Sequence, residues 1–297
     1  MRIGVDLGGT KIEIIALDDA GATIVRRRVA TPAGQYEATL EQIVDLVRGV
    51  ESQTGKTGTI GIGTPGARSR RTALIKNSNS TILIGHDFEN DISRRLGRAV
   101  RIANDANCFA LSEAVDGAAA DSNLVFGVIL GTGVGGAIVH RKFGIEGRNR
   151  LAGEWGHMPL PWPRDDERPG PACYCGKFGC IETFLSGPSL TREYRALTGN
   201  DASPTAIAQM ASQSDSDAQQ CMNDYEDRLA RGLAVVIDIV DPEVIVFGGG
   251  VSNIDRLYED VPPRLERYVL AGEVDTKLRR ALHGDSSGVR GAAMLWP

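Results

Sequence analysis

Three of the five cysteines, Cys173, Cys175 and Cys180, fall in one short segment, while Cys108 and Cys221 lie far from it. In a reducing compartment such crowding points to a bound metal ahead of a disulfide. Three glycine-rich turns offer a second chemistry: Gly8-Gly9-Thr10-Lys11, Gly131-Thr132-Gly133-Val134-Gly135-Gly136 and Gly248-Gly249-Gly250, each following an apolar run. Only glycine lets backbone amides approach phosphate oxygens closely. One such cluster alone reads equally well as a plain hairpin. Three together, with the Thr10 and Thr132 hydroxyls and Asp6 at a strand end, point to a nucleoside triphosphate with magnesium. None has the P-loop spacing. The second turn fits G-x-G-x-x-G by letter, but Ala137-Ile138-Val139-His140 continue as strand where the dinucleotide fingerprint requires a helix. Asp105 reads two ways, as the N-cap of the helix after it or as a functional carboxylate at the carboxyl end of a strand, where α/β sheets place ligands.

These residues need a frame to hold them. Arg2 to Asp6 and Ile12 to Leu17 read as strands around the first glycine turn, followed by a strand over Thr23 to Val29 and a helix over Tyr36 to Ser52, where Leu40, Ile43, Val44 and Val47 repeat at helical spacing. Strand and helix signals then alternate: Thr59 to Ile62, Phe88 to Leu96, Val100 to Ala103, and Ala106 to Val115. That alternation predicts an α/β fold. From Leu124 the opening pattern restarts, with strands over Leu124 to Leu130 and Ala137 to His140 flanking the second turn, so the hairpin reads as an internal duplication. Pro159 to Pro171 reads as loop, Ala218 to Val240 as a long helix, and Glu243 to Phe247 as a buried strand.

At 297 residues the chain is long enough for two cores, and with 42% hydrophobic and 24% charged residues it is of ordinary globular composition. The formal net charge of -5 leaves no basic excess for a nucleic-acid backbone. No stretch approaches a membrane span, and the opening residues lack the layout of a secretory signal, so the expected setting is the cytoplasm.

The motifs Asp6-Leu7-Gly8-Gly9-Thr10-Lys11, Asn104-Asp105-Ala106-Asn107, Gly131 to Gly136, Glu154-Trp155-Gly156-His157 and Cys173 to Glu182 occur in the order found in ROK sugar kinases, which the chain resembles from end to end. With Lys76-Asn77-Ser78-Asn79-Ser80-Thr81 and the closing segment His283 to Gly291, it is most similar to the bacterial fructokinase (manno-fructokinase) branch. The resemblance implies an actin-like ATPase fold of the hexokinase and ribonuclease H-like type, with two α/β domains around a central cleft. Residues 1–117, joined by a C-terminal helix near 286–297, form the smaller domain, and residues 118–285 the larger one with the cysteine segment. It also implies an ATP-dependent transfer to the 6-hydroxyl of D-fructose, with mannose or glucose as lesser acceptors. N-acetylglucosamine kinase or glucokinase is the enzymatic alternative, and a sugar-sensing regulator the non-enzymatic one. Against the regulator stand the phosphate hairpin beginning at Arg2 and the acidic charge balance.

The site residues follow from the same resemblance. Asp105 becomes the general base. Asn79, Asn104, Asp105, Glu154, His157 and Glu182 hold sugar hydroxyls. His157 completes a closed Cys₃His zinc site with Cys173, Cys175 and Cys180, structural and not catalytic, and its other ring nitrogen serves the sugar. Gly8, Gly9 and Thr10 on one side and Gly131, Thr132, Gly133 and Gly135 on the other hold the ATP phosphates, Asp6 holds Mg²⁺ through water, and Gly248 and Gly249 face the adenosine end. Lys11 either touches phosphate or is solvated. Cys108 and Cys221 receive no role. The implied partners are a hexose, ATP and a second copy of the chain, with no nucleic acid and no membrane.

Overall fold

The computed structural model describes all residues except Ala33, Asn79, Ala271 and Pro297. In chain order the elements are β1 (Arg2–Leu7), β2 (Lys11–Leu17), β3 (Thr23–Ala30), α1 (Tyr36–Thr54), β4 (Thr59–Thr64), β5 (Ala67–Arg68), β6 (Ile75–Lys76), α2 (Phe88–Leu96), β7 (Arg101–Asn104) and α3 (Asp105–Val115). They continue with β8 (Leu124–Leu130), β9 (Val134–His140), β10 (Phe143–Ile145), α4 (Glu182–Leu185), α5 (Gly187–Thr198), α6 (Pro204–Ser212), α7 (Ser216–Val240), β11 (Val244–Gly248), α8 (Arg256–Asp260), α9 (Pro262–Leu265), β12 (Lys277–Arg280) and α10 (Ser287–Ala293).

The chain forms two compact units: Met1–Ala120 with Lys142–Ala152 and Asp285–Pro297, and Asp121–Arg141 with Gly153–Gly284. The sequence reading assigned 142–152 to the second unit. The structure puts that segment in the first, because β10 packs on α3 and Arg150 donates to the Arg68 carbonyl at 3.5 Å.

The first unit is built on the sheet β3-β2-β1-β4-β7. β1 and β2 pair antiparallel as a hairpin, and β4 and β7 add in parallel. Isoleucine and valine on β1, β2 and β4 bury against Leu40, Ile43 and Val47 of α1, the helical stripe read from the sequence. The other face carries α10. Its backbone lies so close that a Cβ on Gly61 would stand 1.8 Å from the Ala292 carbonyl oxygen, and one on Gly291 would stand 1.7 Å from that of Cys108.

The strands of the second unit run in the order β9-β8-β11-β12, again an antiparallel hairpin extended by parallel strands. The duplicated hairpin of the sequence is thus a duplicated sheet plan. Its core joins Phe126, Val128 and Phe247 to Trp155, Leu185 and the buried face of α7. In this unit β12 and the helices α4, α5, α6, α8 and α9 lie outside the elements read from the sequence. Pro159 to Pro171 is a loop apart from a single 3-10 turn, Asp165–Glu167. That turn buries Glu167 against Arg228 and Arg231 of α7 at 2.8 Å from each, and Arg231 also donates to the carbonyls of Pro161 and Trp162.

Candidate active site

In the first unit, Asp6 is the penultimate residue of β1, paired with Glu13, and Asp105 opens α3. The N-cap of α3 is Asn104 and not Asp105: the Asn104 Oδ1 accepts from the Ala106 N–H at 2.9 Å. Asn104 Nδ2 donates to the Gly66 carbonyl at 3.1 Å, so the cap also ties the helix start to the loop after β4. This removes one of the two readings of Asp105, which stands one residue inside the helix with its Oδ1 accepting the same N–H at 2.8 Å. The Asp6 carboxyl is pushed up to about 6, by burial first and then by Asp105 and Glu13, against the pull of Lys11 and Arg28. A part-buried carboxylate among other carboxylates is short of positive charge, and a hard divalent cation with oxygen ligands fits that deficit. Cys108 lies beneath, wholly buried, with its thiol pushed well up by burial and by Asp6 and Asp105; it is a packing residue.

The Gly8 and Gly131 turns are each closed by the amide of their own first glycine. Gly8 donates its N–H to the Lys11 carbonyl at 3.0 Å, and Gly131 donates its own to the Gly133 carbonyl at 3.0 Å. The sequence expectation gives both amides to phosphate, but the turn itself uses them. Gly135 belongs to β9, paired with Ile129, and so is not part of the turn at all. Its carbonyl accepts from the Trp155 indole at 3.0 Å. Gly249 has φ +81°, and a Cβ there would meet the Leu130 carbonyl oxygen at 2.4 Å, so the turn after β11 lies directly against the start of the Gly131 turn. The exposed Lys11 begins β2.

In the second unit the cysteine segment and the Glu154 turn come together. The ligand atoms of His157, Cys173, Cys175 and Cys180 all lie within 4.8 Å of one another. His157 Nδ1 is 3.5 Å from the Cys173 sulfur, and the Cys175 and Cys180 sulfurs are 3.6 Å apart. A tetrahedron with zinc–sulfur bonds of about 2.3 Å places its corners roughly 3.8 Å apart, so the set fits a zinc ion. The other imidazole nitrogen, Nε2, meets the Tyr174 hydroxyl at 2.9 Å. Glu182, two residues after Cys180, opens α4 and accepts the Val134 N–H on Oε2 at 2.9 Å. A Cβ on Gly133 would stand 2.6 Å from that oxygen, so the glycine there makes room for the carboxylate. Glu154 has its carboxyl pushed up by burial and by Glu182, with His157 pulling it down. Asn79 lies outside the described residues.

The sequence reading quoted Trp155, Tyr174 and Asn107 inside motifs without giving them work. Trp155 is buried under β9 and holds the Glu154–His157 turn to it. Asn107, one helical turn after Asn104, lines a small cavity with Thr64, Gly66, Arg68 and Arg150, and its Oδ1 is buried without a partner among the described residues. No local signal marks these three, since each depends on what the fold brings opposite. No helix among the described residues is long and apolar enough to cross a membrane.

The sequence profile of the ROK family matches residues 2–297. An N-acetyl-D-glucosamine kinase of Pectobacterium atrosepticum is 38% identical, over 99% of this chain and 98% of its own. Among solved structures, the ROK hexokinase of Thermus thermophilus is 30% identical with a TM-score of 0.87, covering 99% of this chain and 96% of its own. A ROK glucokinase of Streptomyces griseus, solved with glucose and AMPPNP, is 27% identical with a TM-score of 0.78, covering 99% of this chain and 98% of its own. With profile, sequence and backbone agreeing over nearly every residue, the chain belongs to the ROK family and has its actin-like ATPase fold.

Proposed function

We propose that the protein is an ATP-dependent kinase acting on the 6-hydroxyl of a hexose, with N-acetyl-D-glucosamine as first acceptor and D-fructose as second. The observation that carries the kinase reading is the bond from the Val134 N–H to Glu182. It joins the cysteine segment, which supplies polar groups suited to a polyol, to a glycine turn suited to phosphate. The order of acceptors reverses the sequence expectation, because relatives 36% to 39% identical over 99% of this chain bear the amino-sugar kinase name. Fructose keeps second place through the resemblance of Lys76–Thr81 and His283–Gly291 to the fructokinase branch.

In the reaction, Asn104, Glu154, His157 and Glu182, with Asn79, hold the hydroxyls of the acceptor. Asp105 accepts the proton of the 6-hydroxyl as its oxygen bonds to the γ-phosphorus of ATP and the bond from that phosphorus to the ADP oxygen breaks. General-base help of this kind is worth roughly 10²–10⁴-fold. The amides of Gly9, Thr10, Thr132 and Gly133 hold phosphate oxygens, Lys11 adds positive charge beside them, and Gly248 and Gly249 lie towards the adenosine. Mg²⁺, held through water by Asp6, would supply neutralisation of phosphate charge. Zinc in the His157 and cysteine cluster would be structural, since four protein ligands leave it no open position. A cytoplasmic homodimer is the state we assign on the family resemblance.

The test is a coupled ADP-release assay with ATP and Mg²⁺ over N-acetyl-D-glucosamine, fructose, mannose and glucose. The highest kcat/KM on N-acetyl-D-glucosamine supports the reading. A preference for fructose would restore the fructokinase reading, and sugar binding without turnover on any hexose would make the protein a sensor.

A further inference from the structure

Tyr174 stands between two cluster residues, Cys173 and Cys175, in a tight turn closed by the Gly176 N–H on the Cys173 carbonyl at 3.0 Å. Its backbone is therefore fixed by the cluster on both sides. Yet the side chain is 77% exposed, an aromatic ring that fills no core. Its one close polar partner among those described is the imidazole of His157, edge to face at 5.0 Å between ring centroids, with the hydroxyl on Nε2 at 2.9 Å.

The two nitrogens of that imidazole have divided tasks. Nδ1 faces the thiol cluster, 3.5 Å from the Cys173 sulfur. A histidine that gives Nδ1 to a metal carries its proton on Nε2, which is then a hydrogen-bond donor with one acceptor to choose. In this chain the phenol oxygen already occupies the place that an acceptor hydroxyl needs. The hydroxyl therefore sits on the ring nitrogen proposed to serve the sugar.

We propose that Tyr174 is a specificity-determining residue of the acceptor site, its phenol holding His157 Nε2 until a hydroxyl of the incoming hexose takes that place, with the ring then selecting among hexoses by the group beside that hydroxyl. This rests on the hexose kinase reading. A 2-acetamido group and the hydroxymethyl of a ketose differ in size and polarity, so a ring fixed beside the exchanged hydroxyl meets them differently. Displacing the phenol is a cost common to every acceptor, whereas the contact with the ring is not.

The experiment compares wild type with Tyr174→Phe and Tyr174→Ala, measuring kcat/KM for N-acetyl-D-glucosamine, fructose, mannose and glucose, sugar affinity by calorimetry, and zinc content. With zinc content unchanged, Tyr174→Phe is expected to lower KM or leave it within about threefold for every sugar. Tyr174→Ala is expected to change the ratio of kcat/KM between N-acetyl-D-glucosamine and fructose by about tenfold, the scale on which a pocket discriminates single groups. An equal shift for all four sugars in both variants, or no shift, overturns the proposal, as does loss of zinc with each. If wild type binds hexoses without turnover, the kinase reading fails but the calorimetric ratios still test Tyr174. If it binds none, both fall.

Discussion

Asp105 and Gly133 allow the sharpest tests at the level of single residues. Asp105→Asn keeps the shape and the hydrogen bond to the Ala106 N–H but cannot accept a proton at neutral pH. We expect kcat to fall by about 10²–10⁴-fold with sugar affinity nearly kept, measured by ADP release beside calorimetry. An N-cap role alone would give lost stability with turnover intact, and Asn104 already fills that role. Gly133→Ala tests the other unit. Its Cβ would stand 2.6 Å from Glu182 Oε2, so the carboxylate has to leave the Val134 N–H. Sugar and nucleotide affinities are expected to weaken together; a change in nucleotide affinity alone would show that the glycine serves only phosphate.

The long helix α7 illustrates how an element holds a loop that has no regular structure of its own. Arg231 is 1% exposed and Glu167 4%, and their ion pair, joined by Arg228, fixes the segment before the cysteines. Removing one member of a buried pair leaves the others uncompensated, at a cost of about 3–5 kcal/mol. Glu167→Gln is expected to approach that loss in urea unfolding. Burial raises the Glu167 carboxyl, but hydrogen bonds from Arg231 and Arg228 outweigh it and hold the group at about 2, below its usual 4.5. A group lowered in the folded state stabilises above its unfolded value. That stabilisation should be complete above pH 4.5 and fade as pH falls towards 2. In Glu167→Gln this part of the pH dependence should vanish; an unchanged slope would assign acid sensitivity to other carboxylates.

At the scale of the whole molecule, each unit depends on a distant piece of chain. The first unit takes α10 from the far end, packed on β1 and β4 with no room for a Cβ at Gly61. A chain stopped at Gly284 should therefore lose the fold of its first unit, seen as aggregation or loss of nucleotide binding, whereas retained binding would show α10 to be dispensable. The second unit depends on the cluster that joins the Glu154 turn to the cysteine segment. Chelation should lower Tm and sugar affinity together, and zinc analysis should give about one ion per chain. The α/β alternation, the repeated hairpin with its glycine turns, the helical stripe of α1 and the clustered cysteines are legible in the chain alone, because these are periodicities and spacings within one stretch. That Asn104 and not Asp105 caps α3, that Gly8 and Gly131 use their amides to close turns, and that 142–152 joins the first unit emerge from the folded chain. The pairing of Glu182 with Val134 and of Tyr174 with His157 belongs to the same group. Each depends on which atom lies opposite across a gap in the sequence, and a hydrogen bond is satisfied by position in space, which no local spacing encodes.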